Sequence, residues 1–126
     1  MIALIEKGAE IGSHAISGAV LDPRALDELV PDWAERDDFP LERRVEKESM
    51  YFLTQNRGIK APLMPPPLHD KGMPIISIAK FQKWLAGLAE ERGVMIFPGF
   101  AGTELLWEGD QVVGVRTGDK GVGADD

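Results

Sequence analysis

Residues 1 to 26 read MIALIEKGAEIGSHAISGAVLDPRAL, and the first half of that stretch sets the frame for the rest. The apolar run at positions 2 to 5 predicts a short β-strand. Glu6 ends it, and Gly8 and Gly12 then break the backbone into a loop that also carries Ser13 and His14. A carboxylate at the end of such a strand is placed to accept hydrogen bonds from the hydroxyls of a ribose, as at the second strand of a doubly wound dinucleotide fold. No glycine-rich phosphate loop precedes it in this sequence. The chain therefore carries the mark of the ribose end of a nucleotide site without the phosphate end.

Working outward, Asp22 and Pro23 predict a helix start, with Asp22 as N-cap and Pro23 at the first helical position. Ala25, Leu26, Leu29 and Val30 give that helix an apolar face until Pro31. Positions 32 to 48 are polar and of mixed charge, and read as an exposed excursion. MYFLTQ (50 to 55) predicts a strand bounded by Asn56 to Gly58. Four of the six residues from 62 to 67 are proline, which rules out helix and predicts an extended path, with a possible return as a strand in MPIIS.

The clearest helix is SIAKFQKWLAGLAEERG, in which Ile78, Phe81, Trp84 or Leu85, Leu88 and Ala89 recur at helical spacing between a Ser77 cap and Gly93. VMIF then predicts a strand. TELLW and QVVGVRT, separated by Glu108-Gly109-Asp110, predict a hairpin. The tail GDKGVGADD is rich in Gly and Asp and is expected to be loose.

The 126-residue length fits one domain, and 44% hydrophobic with 28% charged residues is an ordinary globular composition. A formal charge of −7 provides no basic patch for nucleic acid and argues against wholesale attraction to anionic lipid. With no cysteine, the chain itself contains no disulfide, thiolate metal site, cysteine nucleophile or cysteine-held cluster. The apolar runs are too short to span a bilayer, and MIAL is followed at once by charged residues, so no signal peptide is read.

Candidate chemistry is sparse. Glu6 suits a ribose, although acids also end strands for solubility. The turn at Phe100 and Ala101, following a strand, presents backbone groups that read a base edge at little entropic cost; the same order of elements also occurs in ordinary cores. His14 and His69 lack partners at metal-ligand spacing, and Ser13 and Ser17 lack the strand–turn–helix elbow of a hydrolase nucleophile. The proline-rich stretch is either a stiff loop or, with Tyr51, Phe52, Leu53, Leu63, Met64 and Leu68, an apolar contact surface.

Taken in order, EKGAEIGSHAISGAVLDPRAL, VPDW, YFLTQNRGIKAPLMPPPLHDKGMPIISIAKFQKWLAGLAEERGVMIFPGFAGTELLW and GVRTGDKGVG resemble the electron-transfer-flavoprotein:ubiquinone oxidoreductase family over essentially the whole chain. The resemblance implies an internal piece of a longer enzyme, holding part of an FAD domain and a quinone-side domain. The expected fold is α+β (or α/β): a partial FAD/NAD(P)-binding-like unit with an inserted antiparallel sheet and one long packed helix. The expected divisions are 1–31, 32–77 and 78–126.

By position, the resemblance assigns Glu6 to the FAD ribose, Ser17 and Gly18 to the approach of the flavin ring, and Phe100 and Ala101 to the adenine, with Lys7 also counted among the cofactor-binding residues. Tyr51, Phe52, Leu53, Leu63, Met64 and Leu68 fall on the quinone and membrane surface. It further implies electron-transfer flavoprotein as donor, FAD and a [4Fe-4S] cluster as relays, ubiquinone as acceptor, and attachment to a membrane surface. That membrane would be the mitochondrial inner membrane, or the cytoplasmic side of a bacterial one. The cluster's cysteines are absent here and the phosphate loop is missing, so the chain alone is expected to be inactive. Pairing with a second copy through an exposed strand edge is a further expectation. A non-catalytic docking module and a related FAD-dependent dehydrogenase or reductase are the alternatives.

Overall fold

The computed structural model describes residues 2 to 119, so the end of the Gly- and Asp-rich tail lies outside the described residues. The chain divides into two compact units: residues up to 16 together with those from 79 onward, and residues 17 to 78.

The first unit begins with strand β1 (Ile2–Glu6). Helix α2 (Ile78–Glu91), strand β7 (Val94–Pro98) and the hairpin β8 (Gly102–Glu108) and β9 (Gln111–Thr117) complete it. β1 pairs with β7 in parallel, with Ile2 opposite Val94 and Glu6 opposite Pro98. A parallel pair cannot be joined by a tight turn and needs a long crossover. The helix is amphipathic at the predicted positions: Trp84 and Leu88 are buried, and Phe81 stacks on Trp84 at a ring separation of 5.9 Å. Gly93 ends the helix in a left-handed turn, while Arg92 Nη1 donates to the Leu88 carbonyl at 3.0 Å. β8 and β9 turn over Gly109 and Asp110, as the hairpin signal predicts.

Glu10 ties the loop after β1 to the helix, because Lys83 Nζ donates to its carboxylate at 2.7 Å. That hydrogen bond, together with the lysine's charge, holds the Glu10 carboxyl below the usual carboxylate range. A carboxyl depressed in the folded state contributes stability above its unfolded pKa and loses it as pH falls through the folded value. Lys83→Met is therefore expected to lower the thermal midpoint slightly at pH 7, and the gap from wild type should close as acid protonates Glu10. A gap that persists at pH 2 in thermal melts would show that the pair is not its source.

The second unit is built on a three-stranded antiparallel sheet: β2 (Gly18–Val20), the central β6 (Pro74–Ser77) and β3 (Leu41–Arg44). Its core gathers Pro74 and Ile76 from β6 with Leu26 and Val30 from the region of helix α1 (Arg24–Leu29). Asp22 Oδ1 accepts the Arg24 amide hydrogen at 3.2 Å, and Pro23 takes the position just before the helix. Hydrogen bonds from Arg24 hold the Asp22 carboxyl below its usual range.

The polar stretch from 32 to 48 is not simply an exposed excursion. Trp33 is only 6% exposed, Phe39 packs edge-on to it at 4.8 Å, and its Nε1 donates to Asp27 Oδ1 at 2.8 Å. One satisfied indole anchors the segment. The following β3 is made of exposed side chains and is held by its backbone pairing to β6, so its side chains give no apolar pattern to read. The same unit also holds a two-stranded hairpin of β4 (Tyr51–Leu53) and β5 (Gly58–Lys60).

Candidate functional site

Two groups of candidate residues stand out, one in each unit. In the first, the carboxyl ends of β1 and β7 lie side by side, the edge at which open α/β sheets place their ligands. The Phe100 N–H donates to the Glu6 carbonyl at 2.8 Å, and the Gly99 N–H donates to the Gly8 carbonyl at 2.6 Å. Residues ninety-odd positions apart in sequence thus meet at one edge. Glu6 Oε1 accepts the Gly8 N–H and lies 3.7 Å from His14 Nδ1, with the side chain 31% exposed. Its Oε2 has no hydrogen-bond partner among the described residues. Lys7, next along the strand end, is exposed. Beside this edge is a hollow of about 230 Å³ lined by Leu4, Glu6 and Ile11 on one side and by Gln82, Leu85 and Ala86 of the helix on the other.

The turn at Phe100 and Ala101 is already partly committed. The Phe100 amide goes to Glu6, and the Ala101 carbonyl accepts the Gly118 N–H at 3.0 Å. Of the two amides that the sequence offers to a base edge, the Ala101 N–H is the one not spent on a backbone partner among the described residues. Ser17 and Gly18 belong to the second unit: Ser17 accepts the Ile78 N–H at 3.2 Å through its carbonyl, and Gly18 opposes Ser77 in the sheet.

The second group is the β4–β5 hairpin and the proline-rich loop. Tyr51 pairs opposite Lys60, Phe52 opposite Ile59 and Leu53 opposite Gly58. Opposed residues share a face, so Tyr51 and Leu53 lie on one side of the ribbon and Phe52 and Ile59 on the other. A Cβ at Gly58 would sit 3.4 Å from Leu53 and 3.8 Å from Tyr51. All four of these apolar side chains are exposed, Leu53 at 82%, and so are Leu63 and Leu68; Met64 is half-buried. A two-stranded ribbon with apolar side chains on both faces is marginal in water by itself, and it leaves an apolar surface exposed.

Where the loop returns, His69 Nε2 is 3.1 Å from the Met64 carbonyl and its Nδ1 is 3.8 Å from Glu48 Oε2. The Glu48 side chain is 13% exposed, and that oxygen has no hydrogen-bond donor in reach. Nothing in the sequence marks Glu48, since one acid in a charged run gives no sign of burial. Among the described residues no three His, Asp or Glu are grouped to hold a metal ion, and no helix is long and apolar enough to cross a membrane.

No family model matches the chain. Individual proteins do. It is 43% identical, over 98% of its length, to "Electron transfer flavoprotein-ubiquinone oxidoreductase, mitochondrial" of Dictyostelium discoideum. The identity is 44% over 96% of the chain to the Pseudomonas aeruginosa protein of the corresponding name, and 40% over 98% to the mitochondrial one of Bos taurus. The chain is a homologue of the electron transfer flavoprotein-ubiquinone oxidoreductases. It spans about a fifth of their length: 20% of the Dictyostelium protein, 22% of the Pseudomonas one and 20% of the bovine one. Their name makes these relatives oxidoreductases, and both mitochondrial and bacterial members carry it.

Proposed function

We propose that this chain forms two working parts of a membrane-associated electron transfer flavoprotein-ubiquinone oxidoreductase. One is the ribose-and-adenine edge of its FAD site; the other is the apolar surface by which it meets the membrane that holds ubiquinone. The fold we propose for the first unit is accordingly part of an FAD-binding-like domain, with the second unit inserted into it.

The observation that carries the reading is the junction of Glu6 with Phe100. It puts a carboxylate and a backbone turn at the carboxyl edge of one parallel strand pair. Oε2 of Glu6 is the acceptor for ribose hydroxyls, with Lys7 beside it, and the Ala101 N–H is the donor toward the adenine edge. Oε1, by contrast, is spent on Gly8, which fixes the carboxylate's orientation. Ser17 and Gly18 take the flavin-ring side by resemblance alone. FAD held here would supply the redox chemistry between the electron-transfer flavoprotein and ubiquinone, and Glu6, Lys7 and the Ala101 N–H would bind and orient it. A [4Fe-4S] relay would take its ligands from elsewhere, as this chain has no cysteine.

The test separates ribose from base. Hydrogen bonds to a charged group contribute about 1.5–3 kcal/mol, on the order of 10- to 100-fold in affinity. In ¹⁵N-labelled protein, adenosine is expected to shift the amides of Gly8, Gly99 and Ala101. Glu6→Ala should weaken adenosine by at least tenfold while leaving adenine unaffected. Shifts that map away from this edge, or an equal loss for adenosine and adenine, would remove the support for the reading.

A further inference from the structure

One residue in six of the chain is acidic, 21 of 126, yet residues 49 to 69 contain no Asp or Glu. This acid-free stretch includes the β4–β5 hairpin and the proline-rich loop, which expose Tyr51, Phe52, Leu53, Ile59, Leu63 and Leu68. Its charged residues are Arg57, beside the hairpin turn, and Lys60, which closes the hairpin's other end. Lys60 shares a hollow of about 360 Å³ with Lys47 and Lys71, where Met64 and Ser49 also contribute. Lys47, Arg57, Lys60 and Lys71 are all exposed, and none forms an ion pair among the described residues. Two carboxylates border the same hollow, against its three lysines. Glu48 is largely buried against His69, and Glu46 lies 4.0 Å from Arg43. A molecule with a net charge of −7 therefore turns a locally cationic rim toward whatever its apolar hairpin touches.

We propose that this rim binds the headgroups of anionic phospholipid, so that the docking surface selects negatively charged membrane. The inference rests on the docking half of the proposed function and adds the chemistry of the partner. A neutral apolar partner would not need the acids to be missing. An anionic bilayer would repel them and would attract the four cations, whose aliphatic stems can lie along the apolar surface while the charges reach the phosphates. Because attraction at a membrane surface acts within a Debye length, the local rim outweighs acids farther away on the chain. Each Lys or Arg near an anionic surface gains roughly fivefold in binding.

The experiment compares co-sedimentation of the purified chain with vesicles of phosphatidylcholine alone and with vesicles containing 30% phosphatidylglycerol. The expected result is binding to both, at least ten times tighter to the anionic vesicles, with the increment removed by 0.5 M NaCl. Lys60→Gln with Lys71→Gln should cut the anionic increment by about tenfold or more and leave binding to phosphatidylcholine unchanged. These lysines are exposed, so the variants keep the fold; an unchanged circular-dichroism melt confirms it. Equal binding to the two vesicles, or an increment indifferent to the lysines, overturns the lipid selectivity and leaves the docking surface standing. Binding to neither overturns both.

Discussion

Phe52→Asp combined with Leu63→Asp is expected to reduce binding of the chain to lipid vesicles by more than 100-fold, whatever the lipid charge. Phe52 is 60% and Leu63 82% exposed, so in the free protein neither side chain holds the core together. Removing each from water on docking is worth about 1.5–3 kcal/mol. The aspartates add the cost of bringing a charge to the bilayer boundary. Two such losses amount to at least 3 kcal/mol, on the order of 100-fold. Exposure also predicts that the thermal midpoint stays within a degree or two of wild type, which separates lost docking from lost folding. Unaltered co-sedimentation of a folded double variant would mean that the hairpin and loop are not the contact surface.

The local elements were legible because their signals are local. The α2 periodicity in Phe81, Trp84 and Leu88 needs only the neighbouring turns, and the turn at Gly109 needs only the residues beside it. What could not be read is what depends on distant backbone. Nothing in Ile2–Glu6 says that its partner is Val94–Pro98, because parallel register is set by the intervening helix and loop rather than by either strand. The spending of the Phe100 amide on Glu6 follows from that pairing and was equally hidden. In the sequence Trp33 reads as one residue of a charged excursion, since its burial rests on a hydrogen bond to Asp27 and a ring contact with Phe39. Glu48 and His69, twenty-one positions apart, meet only when the proline-rich loop has folded back. The cationic rim is an intermediate case: the missing acids are visible in the sequence, but the grouping of Lys47, Lys60 and Lys71 around one hollow is not.

Gly12→Ala should be the most destabilising small substitution in the first unit, costing on the order of 3 kcal/mol. Gly12 is buried with φ +81°, a left-handed conformation that costs an L-residue roughly 1–2 kcal/mol. A Cβ there would also lie 2.7 Å from the Ala79 carbonyl oxygen and 3.1 Å from its Cα, backbone atoms in the first turn of α2. Neither can rotate aside, so the loop or the helix start must shift. Gly93 supplies the control. Its φ of +83° is nearly the same, but a Cβ there meets nothing within 4 Å, so Gly93→Ala carries the dihedral cost alone. The difference between the two variants in urea midpoint therefore measures the close approach of loop to helix. That approach also positions the residues between Glu6 and His14, so Gly12→Ala should weaken the adenosine response while Gly93→Ala spares it. Equal destabilisation by the two alanines would mean that the loop yields freely, and that Gly12 is needed for its dihedral angle and not for its place against α2.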